Sequence, residues 1–421
     1  MYISLSDRGE RRRTRTGTRV SSVVVTLGVV SMLTDVSSES VASILPLYIT
    51  GALGLSTIAY GFIDGLYQGV SAIVRIGGGW ASDRSDRPKW IAFTGYALSA
   101  ITKIWLLLAS GFASIAAVIA LDRLGKGIRT APRDAIITAS SDASNLGRSF
   151  GVHRMLDTIG AAAGPLLAFL ILSFVPTGYD IVFVVSLAFA VVGVAILGLL
   201  VPSLRPRRDR AAAANATSTT NTAPARFRWR SLTEPRLRRL VLAAGILAVL
   251  TVGDGFVYLV LQDRSPFAAQ WFPLLYVGTN VAFFIFAVPL GRAADRFGRA
   301  RVFVLGHVAL LAAYACAALP VGGAVVTIVC LVLLGAFYAA TDGVLAALAG
   351  EVTPPESTAS GIAAAQTVVA VGRLLGSTGF GILWFAVGRE TAIVVVAVAL
   401  AVAIPALLVV VGPLARREVA G

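Results

Sequence analysis

Asp35 and Glu39 lie four residues apart in SMLTDVSSESVASILPLY, a spacing that puts both carboxylates on one helix face, with Ser31 and Ser38 alongside. Burial penalises a carboxylate's charged form and a nearby cation favours it. A buried acid with a cation in reach can therefore exchange protons, and Asp35 is the expected exchange site, with Glu39 next. Cations are supplied by ALDRLGKGIRTAPRDAI, where Asp122, Arg123, Lys126, Arg129, Arg133 and Asp134 crowd the end of an apolar run. At about 100° per residue, Asp122, Lys126, Arg129 and Arg133 share one helical stripe. Arg123, Gly127, Thr130 and Asp134 form the next. Other apolar runs hold Asp254, followed one turn later by Tyr258, and Asp342.

The elements that must position these groups are apolar. Of 421 residues, 57% are hydrophobic and 14% charged, with a mean hydropathy of +0.81; soluble domains carry about 25% charged residues. Twelve apolar runs are long enough to cross a bilayer as helices: 23–48, 57–80, 89–110, 113–135, 148–174, 181–201, 240–262, 268–290, 301–319, 323–347, 358–385 and 391–412. The ten-residue alternation of a β-barrel is absent. One long polar stretch, 202–239, parts six runs from six. The expected architecture is an all-α integral membrane protein: a basic tail (1–22), a six-helix bundle (23–201), a linker (202–239), a second bundle (240–412) and a tail (413–421). A charge at the bilayer centre costs about 3 kcal/mol on insertion scales, so the six charges of 122–134 cannot all face lipid. Arg129, Arg133 and Asp134 are expected at the interface as anchors, while Asp122, Arg123 and Lys126 face a polar cavity. The alternative for Asp35 is a fixed salt bridge with a basic residue such as Arg123.

Lysine and arginine in the loops give the orientation. With the tail inside, the loops on that side carry 26 and the opposite loops only Arg264 and Arg389. Both termini and the linker are thus expected in the cytoplasm of a cell whose plasma (inner) membrane holds the chain. The net charge of +14 becomes a topology signal, and no nucleic-acid partner is expected. No phosphate-binding loop of the G-x-x-x-x-G-K-[ST] kind and no H-E-x-x-H occurs, and Cys316 and Cys330 have no metal or disulfide spacing. The expectation is a non-enzyme without metal or cofactor.

Internal repetition organises the rest. GWASDRSDRPK (79–89) and GRAADRFGRAR (291–301) both read G-x-A-x-D-R-x-x-R-x-[KR], 212 residues apart, after the second and eighth spans. Two parallel halves of this kind suit transport at their interface. On these loops the chain resembles the major facilitator superfamily over all but its tails and linker, with Asp86 where the family usually has glycine and Gly298 in the second copy. Gly79, Asp83, Arg84, Arg87 and Gly291, Asp295, Arg296, Arg299 match the signature. Asp83 and Asp295, at helix ends, are expected to latch that side shut against helix N-termini of the other half.

The resemblance implies a cavity lined by the first, fourth, seventh and tenth spans, hence by Asp35, Glu39, Asp122, Arg123, Lys126, Asp254, Tyr258 and Asp342. It also implies that Arg123, four residues before Gly127, tunes proton exchange with an acidic partner. Gly151, Gly160, Gly164 and Pro165 follow the fifth-span spacing G-x8-G-x3-G-P of antiporter branches, although Ala168-Phe169 replaces the closing glycine pair. Asp64, Arg154, Asp157 and Arg373 are expected at gates or interhelix contacts, Lys103 to snorkel or to pair with an acid, and His153 and His307 to be structural. Together these imply a monomeric, proton-driven exporter of a small organic solute working by alternating access. A symporter or facilitator, or a metal-ion carrier, is the alternative.

Overall fold

The computed structural model describes residues 20–142, 145–204, 234–265, 267–354 and 358–415. Most of the tail and linker, and the side chain of Asp83, lie outside the described residues. Among the described residues thirteen α-helices follow one another: α1 Ser22–Leu47, α2 Thr57–Ser85, α3 Pro88–Leu108, α4 Phe112–Ala139, α5 Leu146–Phe174, α6 Tyr179–Leu200, α7 Pro235–Val249, α8 Asp254–Arg264, α9 Pro273–Phe297, α10 Arg299–Ala318, α11 Ala324–Val352, α12 Thr358–Val387 and α13 Arg389–Ala415. No strand occurs among the described residues. These are the twelve expected spans in two halves, with one correction: the seventh is broken, and α7 and α8 are its two pieces. Ten spans are long and apolar enough to cross a membrane; α2 and α4 are too polar on that measure, and they carry the first repeated segment and the charged foot.

Helix ends follow from local chemistry. Ser21 and Ser56 accept from the backbone N–H of Val23 and Ala59, satisfying donors at the starts of α1 and α2. The repeated segments are mostly helix, not loop: Gly79–Ser85 ends α2 and Gly291–Phe297 ends α9. Only Asp86–Arg87 and Gly298 make the turns. Asp86 takes the left-handed conformation (φ 51°) and Gly298 has φ 97°. Aspartate is among the few side chains that tolerate this region, so the family's glycine is dispensable at 86.

Within the first half α1 packs on α5 and α6, and α4 on α2 and α3; within the second, α11 packs on α9 and α10, and α7 on α12. The halves meet chiefly along α2 and α12. Gly61, Gly65 and Gly69 form a stripe on α2 that seats directly on Ser377, Leu374 and Ala370 of α12; small residues at intervals of four let membrane helices approach closely. The face bearing the linker ends is called here the linker face. Cross-half contacts gather toward the other, far face: Thr57 donates to the Gly381 carbonyl (3.1 Å), Tyr60 meets Phe256 edge-on, and Phe169 meets Trp271. On the linker side, a Cβ at Gly77, Gly151 or Gly291 would meet nothing within 4 Å. The halves are thus joined at the far face by contacts of α2 with α12 and α8, and of α5 with the segment before α9. Large apolar side chains such as Leu108, Phe174, Leu199 and Val409 stand exposed on the outside, as a bilayer requires.

Candidate functional site

The charged layer of the first half is positioned by two glycines. Gly95 of α3 and Gly125 of α4 face each other so closely that a Cβ on either would come within 2.7 Å of the other's carbonyl oxygen. This approach brings Lys103 to Asp122 (Nζ–Oδ1 3.2 Å) and Ser99 to the Asp122 carbonyl. Asp122 also receives Nε of Arg123 at 3.0 Å. Each of these three side chains is at most 3% exposed. Asp122 and Arg123 were expected to face a polar cavity; they are packed inside the helix bundle instead, where Arg123 and Lys103 share the Asp122 carboxylate. Lys103 does not snorkel.

Lys126 is the most exposed cation of the α4 cluster, at 32%, with Nζ 3.9 Å from Asp35 and 3.8 Å from Glu39. One ammonium thus serves two carboxylates without a hydrogen bond to either. Asp35 also has Arg129 at 3.8 Å, so its ion-pair partners are Lys126 and Arg129, not Arg123. Arg129, expected as an interface anchor, is buried: it donates to Ser99 Oγ (3.1 Å) and lies over the Tyr96 ring at 4.5 Å. Arg133, also expected to be an anchor, turns inward to Asp134, Ser31 and Asp157, while Asp134 is reached by Arg75 of α2 at 3.4 Å. Tyr67 and Tyr96 were missed by sequence reasoning. Tyr67 donates to Glu39 Oε1 at 3.2 Å and carries the Arg123 guanidinium 3.8 Å above its ring.

The second half is built around the break at residues 250–253. Tyr314 of α10 accepts from the Val252 N–H (2.7 Å) and donates to the Leu250 carbonyl (3.2 Å), replacing helix bonds that the break removes. Asp64, coming across from α2, presses against Gly253 and accepts from Ser377 of α12 at 2.6 Å. A Cβ at 253 would meet that carboxylate, which would have to move aside to admit it. Asp254 opens α8 and accepts from Tyr338 at 2.8 Å, and Arg373 pairs with half-exposed Asp342 at 3.4 Å. Tyr338 also has the Arg373 guanidinium 5.5 Å from its ring centre, so it links Asp254 to the Asp342–Arg373 pair. Tyr258, expected to line a cavity, is buried between α8 and α9 instead, bonded to Thr279 at 2.7 Å.

Two expected devices take other forms. Asp295 pairs with Arg299 of its own half at 2.8 Å, and Arg299 with Glu351, so among the described residues Asp295 makes no latch to the other half. Of the fifth-span glycines, Gly160 and Gly164 lie against the α1 backbone at Met32 and at Glu39–Ser40, with Pro165 buried, whereas Gly151 touches nothing. The spacing thus serves the α1–α5 seat at two positions only. The segment GRSFG (147–151) has the G-x-S-x-G spacing of hydrolases, but Ser149 lies inside α5, not on the strand-to-helix turn that such a nucleophile needs. An apolar groove of about 510 Å³ between α9 and α11, lined by Phe267, Trp271, Leu275, Ile328 and Leu331, contains none of the charged groups.

Known proteins with this arrangement are numerous. The Major Facilitator Superfamily profile matches residues 27–277 and 259–420. An uncharacterised MFS-type transporter of Methanocaldococcus jannaschii is 27% identical over 317 residues, 73% of this chain and 75% of its own. An uncharacterised protein of Mycobacterium tuberculosis is 32% identical over 144 residues, about a third of each chain. Among solved structures, the nucleoside transporter NupG superposes with a TM-score of 0.75 at 16% identity, covering 92% of this chain and 99% of its own. A POT peptide transporter in complex with sulfate reaches 0.77 at 14% identity over 94% and 95%. At such identities the structures show a shared fold.

Proposed function

This chain belongs to the Major Facilitator Superfamily and is a membrane transporter of that type, and from that premise we propose that it moves a small organic solute by exchange with protons at Asp35 and Glu39. The observation that carries this reading is one lysine held between two acids at 3.8–3.9 Å. With both acids charged, Lys126 is shared; a proton on either leaves it to the other, and a solute entering from the linker side can compete for the same ammonium. Arg129 remains with Asp35 in either case, so the swing is expected in Lys126. The far-face contacts between the halves fit entry from the linker side, one of the two states that alternating access requires.

The proposed direction is export, with the linker face in the cytoplasm of a plasma-membrane protein. The asymmetry of 26 loop cations against two supports the orientation, and the seating of Gly160 and Gly164 on α1 fits the antiporter-like spacing of the fifth span. The proton gradient is the proposed energy source and a monomer the proposed working unit.

The test is proton movement in proteoliposomes carrying an internal pH dye, while cations, anions and zwitterions are added under an imposed pH gradient. The expected result is a compound that drives proton flux in wild type and none in Asp35→Asn. Solute uptake with no proton flux in wild type would overturn the reading.

A further inference from the structure

The resemblance gives Arg123 an acidic partner for proton exchange, yet its guanidinium reaches neither acid of α1. Among the described residues its carboxylate partner is the adjacent Asp122, and its flat face lies on the ring of Tyr67, whose hydroxyl donates to Glu39. We infer that Tyr67 is the positioning residue that joins Arg123 to Glu39, so that the charge on Glu39 sets how firmly Arg123 is held. This rests on the proton-exchange reading above and adds a residue to it.

The chemistry runs through the phenol. A hydroxyl that donates to a carboxylate raises the electron density of its ring, and the ring face then attracts a guanidinium more strongly. Such attraction gains where water is excluded, and Arg123 is 2% exposed. A proton on Glu39 removes the anion, weakens the hydroxyl's bond and loosens the ring's hold. Arg123 is not stranded when this happens, because Asp122, itself braced by Lys103 at 3.2 Å, remains as its counter-ion. The guanidinium can thus shift between a ring on α2 and a carboxylate on its own helix while staying buried. Because α2 also forms the seam with α12, a change at Tyr67 bears on how the halves close.

Other charged or titratable groups surround this path. Lys126 of α4 lies 3.8 Å from the same Oε1 of Glu39. Asp35 is one turn earlier on α1, faced by Asp157 of α5, and Gly164 of α5 lies against Glu39 itself. Tyr276 of α9 stands near Tyr67. A merely structural Tyr67 would alter stability and leave the response to pH unchanged.

The experiment uses the full chain in lipid nanodiscs, with Cys316→Ala and Cys330→Ala. Spin labels are placed through Gly147→Cys and Arg292→Cys, near the linker-face ends of α5 and α9. The distance distribution is compared between mildly acidic and mildly alkaline buffer. The background protein is expected to shift with pH, Glu39→Gln to lose the shift, and Tyr67→Phe to lose more than half of it. Arg123→Lys, which keeps the charge without the flat stacking face, should behave like Tyr67→Phe and serves if that variant does not fold. Tyr48→Phe, altering a far-face ring stacked on Tyr179 and Phe183, should follow the background. A full shift in both Tyr67→Phe and Arg123→Lys overturns the inference and leaves proton exchange standing. No shift in the background itself overturns both.

Discussion

The two halves share a helix order and a repeated segment but not a chemistry. In the first, α1, α3, α4 and α5 carry interlocking acids and bases, with Asp35, Lys103, Asp122, Arg123 and Arg129 buried and Lys126 more exposed between two acids. In the second, Arg373 pairs with Asp342, while Asp254 and the visiting Asp64 are met by hydroxyls, from Tyr338 and Ser377. The first half is a rigid layer in which charge can be redistributed among fixed partners. The second is a hinge: a helix interrupted at 250–253, braced by one tyrosine. Internal duplication evidently constrains the fold and leaves each half free to take a different part of the mechanism.

That contrast can be broken at several points. The largest effect is expected at Asp122→Asn, because losing this carboxylate leaves Lys103 and Arg123 buried without their counter-ion and costs about 3–5 kcal/mol. The melting temperature in detergent should fall steeply, and Lys103→Met in the same chain should restore part of it. If Asp122→Asn alone melts like wild type, the first half is not held by its ion pairs. Next comes Gly61→Ala at the seam. Its Cβ would stand 2.5 Å from the Ser377 carbonyl, and such overpacking costs about 1–3 kcal/mol. The expected outcome is a fold that survives with the far face opened, read as faster thiol labelling of Thr57→Cys; unchanged labelling would contradict the seam's role.

Tyr314→Phe tests the hinge. It removes the bonds to Val252 and Leu250, and an unsatisfied buried backbone group costs about 1–3 kcal/mol. Hydrogen exchange at 250–254 should rise locally while the α3–α4 layer keeps its protection. Uniform exchange across both halves would mean that the break is not a separate element. The smallest effect is expected at Gly151→Ala, where a Cβ meets nothing within 4 Å; stability should change by less than about 0.5 kcal/mol. A larger loss would restore Gly151 to the fifth-span packing motif.

The spans and the repeat were legible because apolar run length and an eleven-residue pattern survive any choice of neighbours. The charged cluster was legible as a cluster, but not as pairs. A helical stripe says which way Arg129 points along α4; it does not say that α3 comes close enough, at Gly95 and Gly125, to receive it on Tyr96 and Ser99. Anchoring at the interface was therefore the wrong expectation for a residue that packing buries. The break was hidden for a related reason: TVGDG lies inside a run apolar enough to span, and only Gly253 hinted at it. Tyr67 sat unnoticed in GLYQGV because an aromatic in a membrane helix is ordinarily packing, and its role depends on two partners more than 25 positions away in sequence.

The central claim, that protons and solute are coupled through the α1 acids and Lys126, is tested most directly by separating exchange from accumulation. With a compound that drives proton flux in wild type, counterflow and gradient-driven accumulation are measured side by side in proteoliposomes for wild type and Asp35→Asn. The account predicts that Asp35→Asn keeps counterflow and loses accumulation. Accumulation at the wild-type level in that variant would contradict it.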